Sequence, residues 1–293
     1  MREGLYMKCH ITETASFADG ILNHYSTGTV HSVYRKTINL HLGPALVALQ
    51  AASSPLSPVS LITNLQAPEM GALSIRPEDP VSTDGQSITI HSHGIRIAFD
   101  LSGALVFDSF LPDQAVPIDV TAVKEAIRLS GSGGFSELFS PEPRKASSDF
   151  GKEAFLAVAK KRLKDARRLS DSACYEEASS SLAGLLGLGI GLTPAGDDFL
   201  CGFLAGLRFA GQWEHPFARL LRKEISQHLG DTNDISRTFL SCALQSHFSR
   251  PVKELPCSDT SKILSSFCQI GHSSGIDTLC GIFYASCFFA ALS

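Results

Sequence analysis

No long basic or acidic run interrupts this 293-residue sequence: 25 lysines and arginines stand against 29 aspartates and glutamates, for a net charge of −4. A nucleic-acid partner therefore has no electrostatic footprint, and neither does an anionic membrane surface. Charged residues amount to 18%, which is low, while the apolar fraction of 44% is ample for a packed core. No apolar run reaches the roughly 20 residues a membrane span needs. The most apolar segment, Leu279 to Leu292, stops short of that and reads as a buried helix. Met1 to His10 lacks the apolar core of a signal peptide. The eight cysteines contain no C-x-x-C pair, and most lie in apolar helical runs. They read as buried free thiols in a reducing cytoplasm. His41, His91 and His93 have no partners at metal-ligand spacing, so no zinc site is expected.

The two halves differ in pattern. Residues 1 to 118 show short β-branched or alternating stretches punctuated by Gly, Pro and Ser. Thr29–Leu42, Leu46–Ala51, Val59–Asn64, Ala72–Arg76, Ser87–His91, Gly94–Leu101 and Ala104–Phe107 are the strand candidates. His93-Gly94 marks a hairpin, and Glu13–Asn23 is a weak helix candidate. Many short strands of this kind predict a small barrel or sandwich. Residues 119 to 293 carry helical periodicity, interrupted at 130–148 by a Gly/Ser/Pro/Glu-rich stretch that reads as a mobile surface loop or linker. The expected architecture is α+β: a β-rich, barrel-like N-terminal domain followed by a helical-bundle C-terminal domain.

At the centre of the second half stands Gly187-Leu-Gly-Ile-Gly-Leu-Thr-Pro-Ala-Gly-Asp-Asp-Phe-Leu200. Thr193-Pro194 predicts an N-cap followed by proline at the first helical position. A glycine-rich turn opening a helix leaves backbone N–H groups at the positive end of a dipole, which suits an anion. Gly191 and Gly196 have P-loop spacing, but Asp197 stands where the phosphate-binding lysine belongs, and this removes the nucleotide reading. The dinucleotide fingerprint fails as well, since no third glycine follows at the right distance.

Two later helix starts have a similar composition: Asp231-Thr-Asn-Asp234 before Ile235-Ser236, and Gly271-His-Ser-Ser-Gly-Ile-Asp277. Helix capping alone accounts for much of this, including Thr232 and the capping-box spacing of Ser274 and Asp277. If the three ends converge, they form a pocket for a small ligand that is both anionic and amide-bearing. Gly189, Gly191, Thr193 and Gly196 would shape the anion site, with Thr232, Ser273 and Ser274 beside it. Asp197 and Asp198 would accept from a ligand N–H, hold Mg²⁺ or act as base, and His272 is the histidine placed to move a proton. His31, Arg35 and Asn39 share one face of the Thr29–Leu42 strand candidate; an exposed strand face is the simpler account of them. No G-x-S-x-G elbow is present, and adjacent residues such as His272 and Ser273 rarely make a triad.

The glycine stretch resembles the signature of a bacterial family that includes the AllH-type subunit of oxamate carbamoyltransferase. Thr232-Asn233 with Ser236, Gly271-His-Ser-Ser-Gly-Ile-Asp277 and Val30-His-Ser-Val33 with Asn39-Leu40 support it, so Asn233 and Ser236 join the expected ligand contacts. The usual motif has proline where Ile190 stands and often serine at Ala195. The resemblance implies a subunit of a multi-subunit carbamoyltransferase in purine (allantoin) catabolism. There a carbamoyl group passes from oxalurate to phosphate, giving oxamate and carbamoyl phosphate. It implies protein partner subunits and leaves open which of them carries the chemistry. The alternatives are a non-catalytic structural or regulatory subunit, or an independent enzyme acting on another small acid.

Overall fold

A computed structural model of the chain describes residues 6–112, 114–131, 133–139 and 150–290. It divides into two compact units, residues 1–110 and 111–293.

The first unit is a closed barrel with one appended strand. Its strands are β1 (Tyr6–Ala15), β2 (Thr27–Val33), β3 (Thr37–Leu42), β4 (Ala45–Gln50), β5 (Ser60–Thr63), β6 (Pro80–Thr83), β7 (Ser87–Ser92), β8 (Ile95–Asp100) and β9 (Leu105–Phe107). They pair in the order β5-β4-β3-β2-β6-β7-β8-β1-β9, and an additional β5–β1 pairing closes eight of them into a ring. Closure depends on β1 changing partner along its length. Tyr6 to His10 run parallel to β8, whereas Ile11 to Thr14 run antiparallel to β5 past an irregularity between Ile11 and Glu13. Val30, Ile38, Leu40, Leu49, Leu61, Ile88, Ile90 and Phe99 fill the interior with essentially no exposure. Two short helices, α1 (Ser16–His24) and α2 (Ala67–Ala72), complete the unit.

Three details differ from the sequence expectations. Thr29–Leu42 is a hairpin, with Arg35 exposed in the turn between β2 and β3, so it does not share a strand face with His31 and Asn39. Ala72–Arg76 forms no strand, because Pro68 and the Glu69 side chain, which accepts from the Gln66 N–H at 2.6 Å, start α2 immediately before it. The front segment splits into β1 followed by α1. The His93-Gly94 turn is as expected, with positive φ at both residues (48° and 79°), the geometry a two-residue hairpin requires.

The second unit is helical: α3 (Val120–Ser130), α4 (Ser136–Phe139), α5 (Phe150–Asp171), α6 (Tyr175–Ala183), α7 (Ala195–Phe209), α8 (Pro216–Gln227), α9 (Asp234–Leu244), α10 (Arg250–Lys253), α11 (Thr260–Cys268) and α12 (Ser274–Ala290). Its centre is the α7–α12 pair. A Cβ on Gly202 would stand 1.9 Å from the Thr278 carbonyl oxygen, one on Gly281 2.0 Å from that of Phe199, and one on Gly206 2.5 Å from the Ala285 Cβ. The helices therefore pack backbone to backbone, and only glycine fits at the first two positions. Gly202 meets Thr278 and, one turn on, Gly206 meets Ala285, while Thr193 near the start of α7 pairs with Ser274 at the start of α12, so the two helices run parallel with their N-termini side by side.

Within the stretch read as a surface loop, residues 133–139 instead hold α4, and Phe135 is fully buried, stacked on Phe199 at 4.3 Å. Composition hid an apolar anchor there, with Leu138 and Phe139 packed against the same core. Positions 132 and 140–148 of that stretch, Met1 to Leu5 and the last residues of the Leu279–Leu292 run lie outside the described residues. The cysteines differ too: Cys9, Cys242 and Cys280 are buried, but Cys174, Cys257, Cys268 and Cys287 are exposed. No helix among the described residues is long and apolar enough to cross a membrane.

Candidate functional site

The glycine stretch forms the approach to α7. Gly187, Gly189 and Gly191 take positive φ (71°, 123° and 115°), conformations other residues rarely adopt. A Cβ on Gly187 would reach 2.9 Å from the Asp231 carbonyl oxygen, and one on Gly196 1.9 Å from that of Leu185. At the tip, Ile190 is 97% exposed, Leu192 projects into solvent beside it, and a Cβ on Gly191 would meet nothing. The helix begins one residue later than expected. Pro194 is its N-cap and accepts from the N–H groups of Asp197 and Asp198 at 2.9 and 3.2 Å. Thr193 does not cap it, because its hydroxyl pairs with Ser274 Oγ at 2.8 Å, which joins the start of α7 to the start of α12.

The two adjacent aspartates have different environments. Asp197 is buried with both oxygens satisfied: Oδ1 accepts from the Gly187 N–H at 2.7 Å and Oδ2 from the Thr232 hydroxyl at 2.5 Å. It folds the glycine stretch back onto α7 and ties in the residues before α9. Thr232 is thus a tie to Asp197 and not the cap of α9. Asn233 is the cap, its Oδ1 accepting from the Ile235 and Ser236 N–H groups at 3.0 Å each.

Asp198 turns the other way. Its Oδ2 is buried without a hydrogen-bond partner. Burial pushes its carboxyl up to about 8, the hydroxyls of Ser274 and Thr193 pull it down, and Asp277 and Asp197 add repulsion. Asp277, in the first turn of α12, is fully buried. Its Oδ1 accepts from the Phe135 N–H at 2.7 Å, and its Oδ2 also lacks a partner. Burial raises this carboxyl to about 7 against the pull of the Phe135 N–H and the Ser273 hydroxyl. Gly134, at φ 68°, lets the backbone clasp Asp277, since a Cβ there would fall 2.4 Å from Oδ1. Ser236 Oγ is likewise buried and unpartnered.

The three helix starts are therefore linked, α7 to α12 through Thr193–Ser274 and α7 to α9 through Asp197–Thr232. His272 lies exposed in the turn before α12, with no hydrogen bond to any described residue. Asp277, treated in the sequence only as a capping-box partner, is the residue that reading undervalued. The available signal was its place in the first turn of a helix after Gly271-His-Ser-Ser-Gly275, which parallels that of Asp198 after the glycine stretch.

Among the described residues no group of three or more His, Cys, Asp or Glu can hold a metal ion. A cleft of about 240 Å³ on the barrel unit, lined by Thr14, Asp19, Gln86 and Ser102 among others, contains none of the expected site residues.

The geometry gives a pair of parallel helix N-termini whose two carboxyls are both raised by burial, Asp198 to about 8 and Asp277 to about 7, so that protonated forms are populated near neutral pH. Neutral acids donate hydrogen bonds, so the positive helix ends remain open to an anion despite the aspartates. Two models of one family match the chain. One, described as oxamate carbamoyltransferase subunit AllH, covers residues 185–286, and the other, the AllH family N-terminal domain, covers residues 10–106. The chain belongs to the AllH family. No curated protein and no solved structure matches it significantly.

Proposed function

We propose that this chain is a subunit of an oxamate carbamoyltransferase-like complex and binds a small carboxylate or phosphate ligand bearing an amide at the joined starts of α7 and α12. The observation that carries this reading is the pair of buried carboxyl oxygens, Asp198 Oδ2 and Asp277 Oδ2, left without partners at two adjacent helix N-termini. Buried polar atoms are nearly always paired, so two orphans at one place mark where a ligand supplies the missing partners. When neutral, each carboxyl donates to a ligand oxyanion; when ionised, each accepts from a ligand N–H. Oxamate, oxalurate and carbamoyl phosphate each combine an oxyanion with an amide. The backbone N–H groups of the two helix starts would then stabilise charge developing on a carbamoyl oxygen.

Within this reading Asp198 and Asp277 meet the ligand with Ser273 and Ser274. Asp197, Thr232, Thr193 and Asn233 hold the helix starts in place, and Gly189 and Gly191 form the approach. The family description supports the subunit role, and a place in allantoin breakdown is part of this proposal. A scaffold reading draws support from the glycines, since Gly187, Gly189 and Gly196 are each explained by close backbone approach. Calorimetry on the full chain with oxamate, phosphate and carbamoyl phosphate, with and without Mg²⁺ and co-purified subunits, separates the two. Ligand binding is expected, weakened at least tenfold by Asp198→Ala or Asp277→Ala. Absence of binding under all these conditions establishes the scaffold.

A further inference from the structure

The barrel unit holds a polar cluster outside the helix-end site. In a regular strand, successive side chains point to opposite faces, so neighbours such as His31 and Ser32 cannot meet. Strand β2 is irregular at this point. Val30 pairs with Leu40 and Ser32 with Asn39, leaving His31 as an extra residue in a bulge. Val30 and Leu40 are fully buried in the barrel, while His31 and Ser32 are only partly covered. The bulge thus brings both side chains to the outer face, where His31 Nδ1 lies 2.9 Å from Ser32 Oγ. From the facing strand, Asn39 Nδ2 donates to the same oxygen at 3.0 Å. Asn39 itself is 8% exposed.

We propose that Ser32 is a nucleophile, with His31 as its base, that reacts with acyl-type electrophiles and takes up a carbamoyl group as a carbamate ester. The choice of carbamoyl group rests on the function proposed above; the reactivity of the hydroxyl does not. The oxygen has one hydrogen and two lone pairs. In the His31 tautomer whose Nδ1 is unprotonated, the hydrogen points to that nitrogen, Asn39 occupies one lone pair, and the second lone pair is left to attack. In the reaction, Ser32 Oγ bonds to the carbonyl carbon of the donor and its proton passes to His31 Nδ1. The bond from that carbon to the leaving nitrogen or oxygen then breaks, and His31 returns the proton to the departing group. The products are a Ser32 carbamate ester and the free leaving group, with no other reactant consumed.

The test treats the full-length protein with a fluorophosphonate and, separately, with 4-nitrophenyl carbamate, and reads adducts by intact mass and peptide sequencing. A single adduct on Ser32 from each reagent is expected. It should be absent in Ser32→Ala and formed about 100-fold more slowly, or less, in His31→Gln, with circular dichroism confirming that both variants fold. A fluorophosphonate adduct without a carbamate adduct overturns the carbamoyl assignment. No adduct on Ser32 from either reagent, or labelling unchanged in His31→Gln, overturns the proposal. Neither result bears on ligand binding at the helix ends.

Discussion

Replacing Asp198 with asparagine should stabilise the protein at neutral pH, and the size of the effect follows from the carboxyl's environment. An aspartate titrates near 3.8 when unperturbed and at about 8 here. Between those values the unfolded chain has lost the proton and the folded chain has kept it, so folding takes up a proton. Stability therefore falls as pH rises through this window, by about 1.4 kcal/mol per pH unit per group, and is flat below and above it. Asp277, raised to about 7, adds a second contribution over a slightly narrower range, and the two titrate as a coupled pair. At pH 7 the Asp198 contribution amounts to about 2–4 kcal/mol of lost stability, which a neutral amide of the same shape does not lose. The protein has one tryptophan, Trp213, buried in the helical unit between the Arg208 and Arg222 guanidinium groups at 4.0 and 4.2 Å. Its fluorescence reports unfolding of the unit that holds the site. Urea titrations from pH 4.5 to 8.5 should show wild-type stability falling with pH, a shallower fall in Asp198→Asn, and nearly equal stabilities at the acid end. Parallel curves for the two proteins would mean that burial does not raise the Asp198 carboxyl.

Other substitutions test the scaffold around the carboxyls. Gly202→Ala places a Cβ 1.9 Å from the Thr278 carbonyl oxygen; it should cost about 1–3 kcal/mol or more by forcing α7 from α12, seen in the same urea assay. Thr232→Val removes the donor to Asp197 Oδ2 and should cost about 1–3 kcal/mol, with proteolysis at the glycine stretch accelerated. Ser236→Ala deletes a buried hydroxyl that has no partner, so the melting temperature should hold or rise, whereas loss of stability would mean the hydroxyl is engaged.

Much of the architecture was legible because it rests on local patterns. His93-Gly94 announces a hairpin, and the helical periodicity of the second half announces its helices. Barrel closure was not legible, since it depends on β1 changing partners midway, a long-range pairing with no local signature. The convergence of the three helix starts was suggested by their shared composition, but the division of labour was hidden. Asp197 and Asp198 are neighbours in sequence with opposite environments, and only the Gly187 N–H and Thr232 hydroxyl, brought from elsewhere in the chain, separate them. The same holds for Ser32. Alternation places it opposite His31, and the bulge that reverses this becomes visible only when β2 is paired with β3.

In the proposed site the raised carboxyls of Asp198 and Asp277, at joined helix ends, receive an anion in their protonated forms. Calorimetric titration of the full-length protein with oxamate at pH 8, in two buffers of different ionisation enthalpy, measures the protons exchanged on binding. An oxyanion seated against Asp198 and Asp277 favours their protonated forms, so net proton uptake is predicted, reduced in Asp198→Asn and in Asp277→Asn. Binding without proton exchange, and unchanged in both variants, would mean that the anion does not sit against these carboxyls.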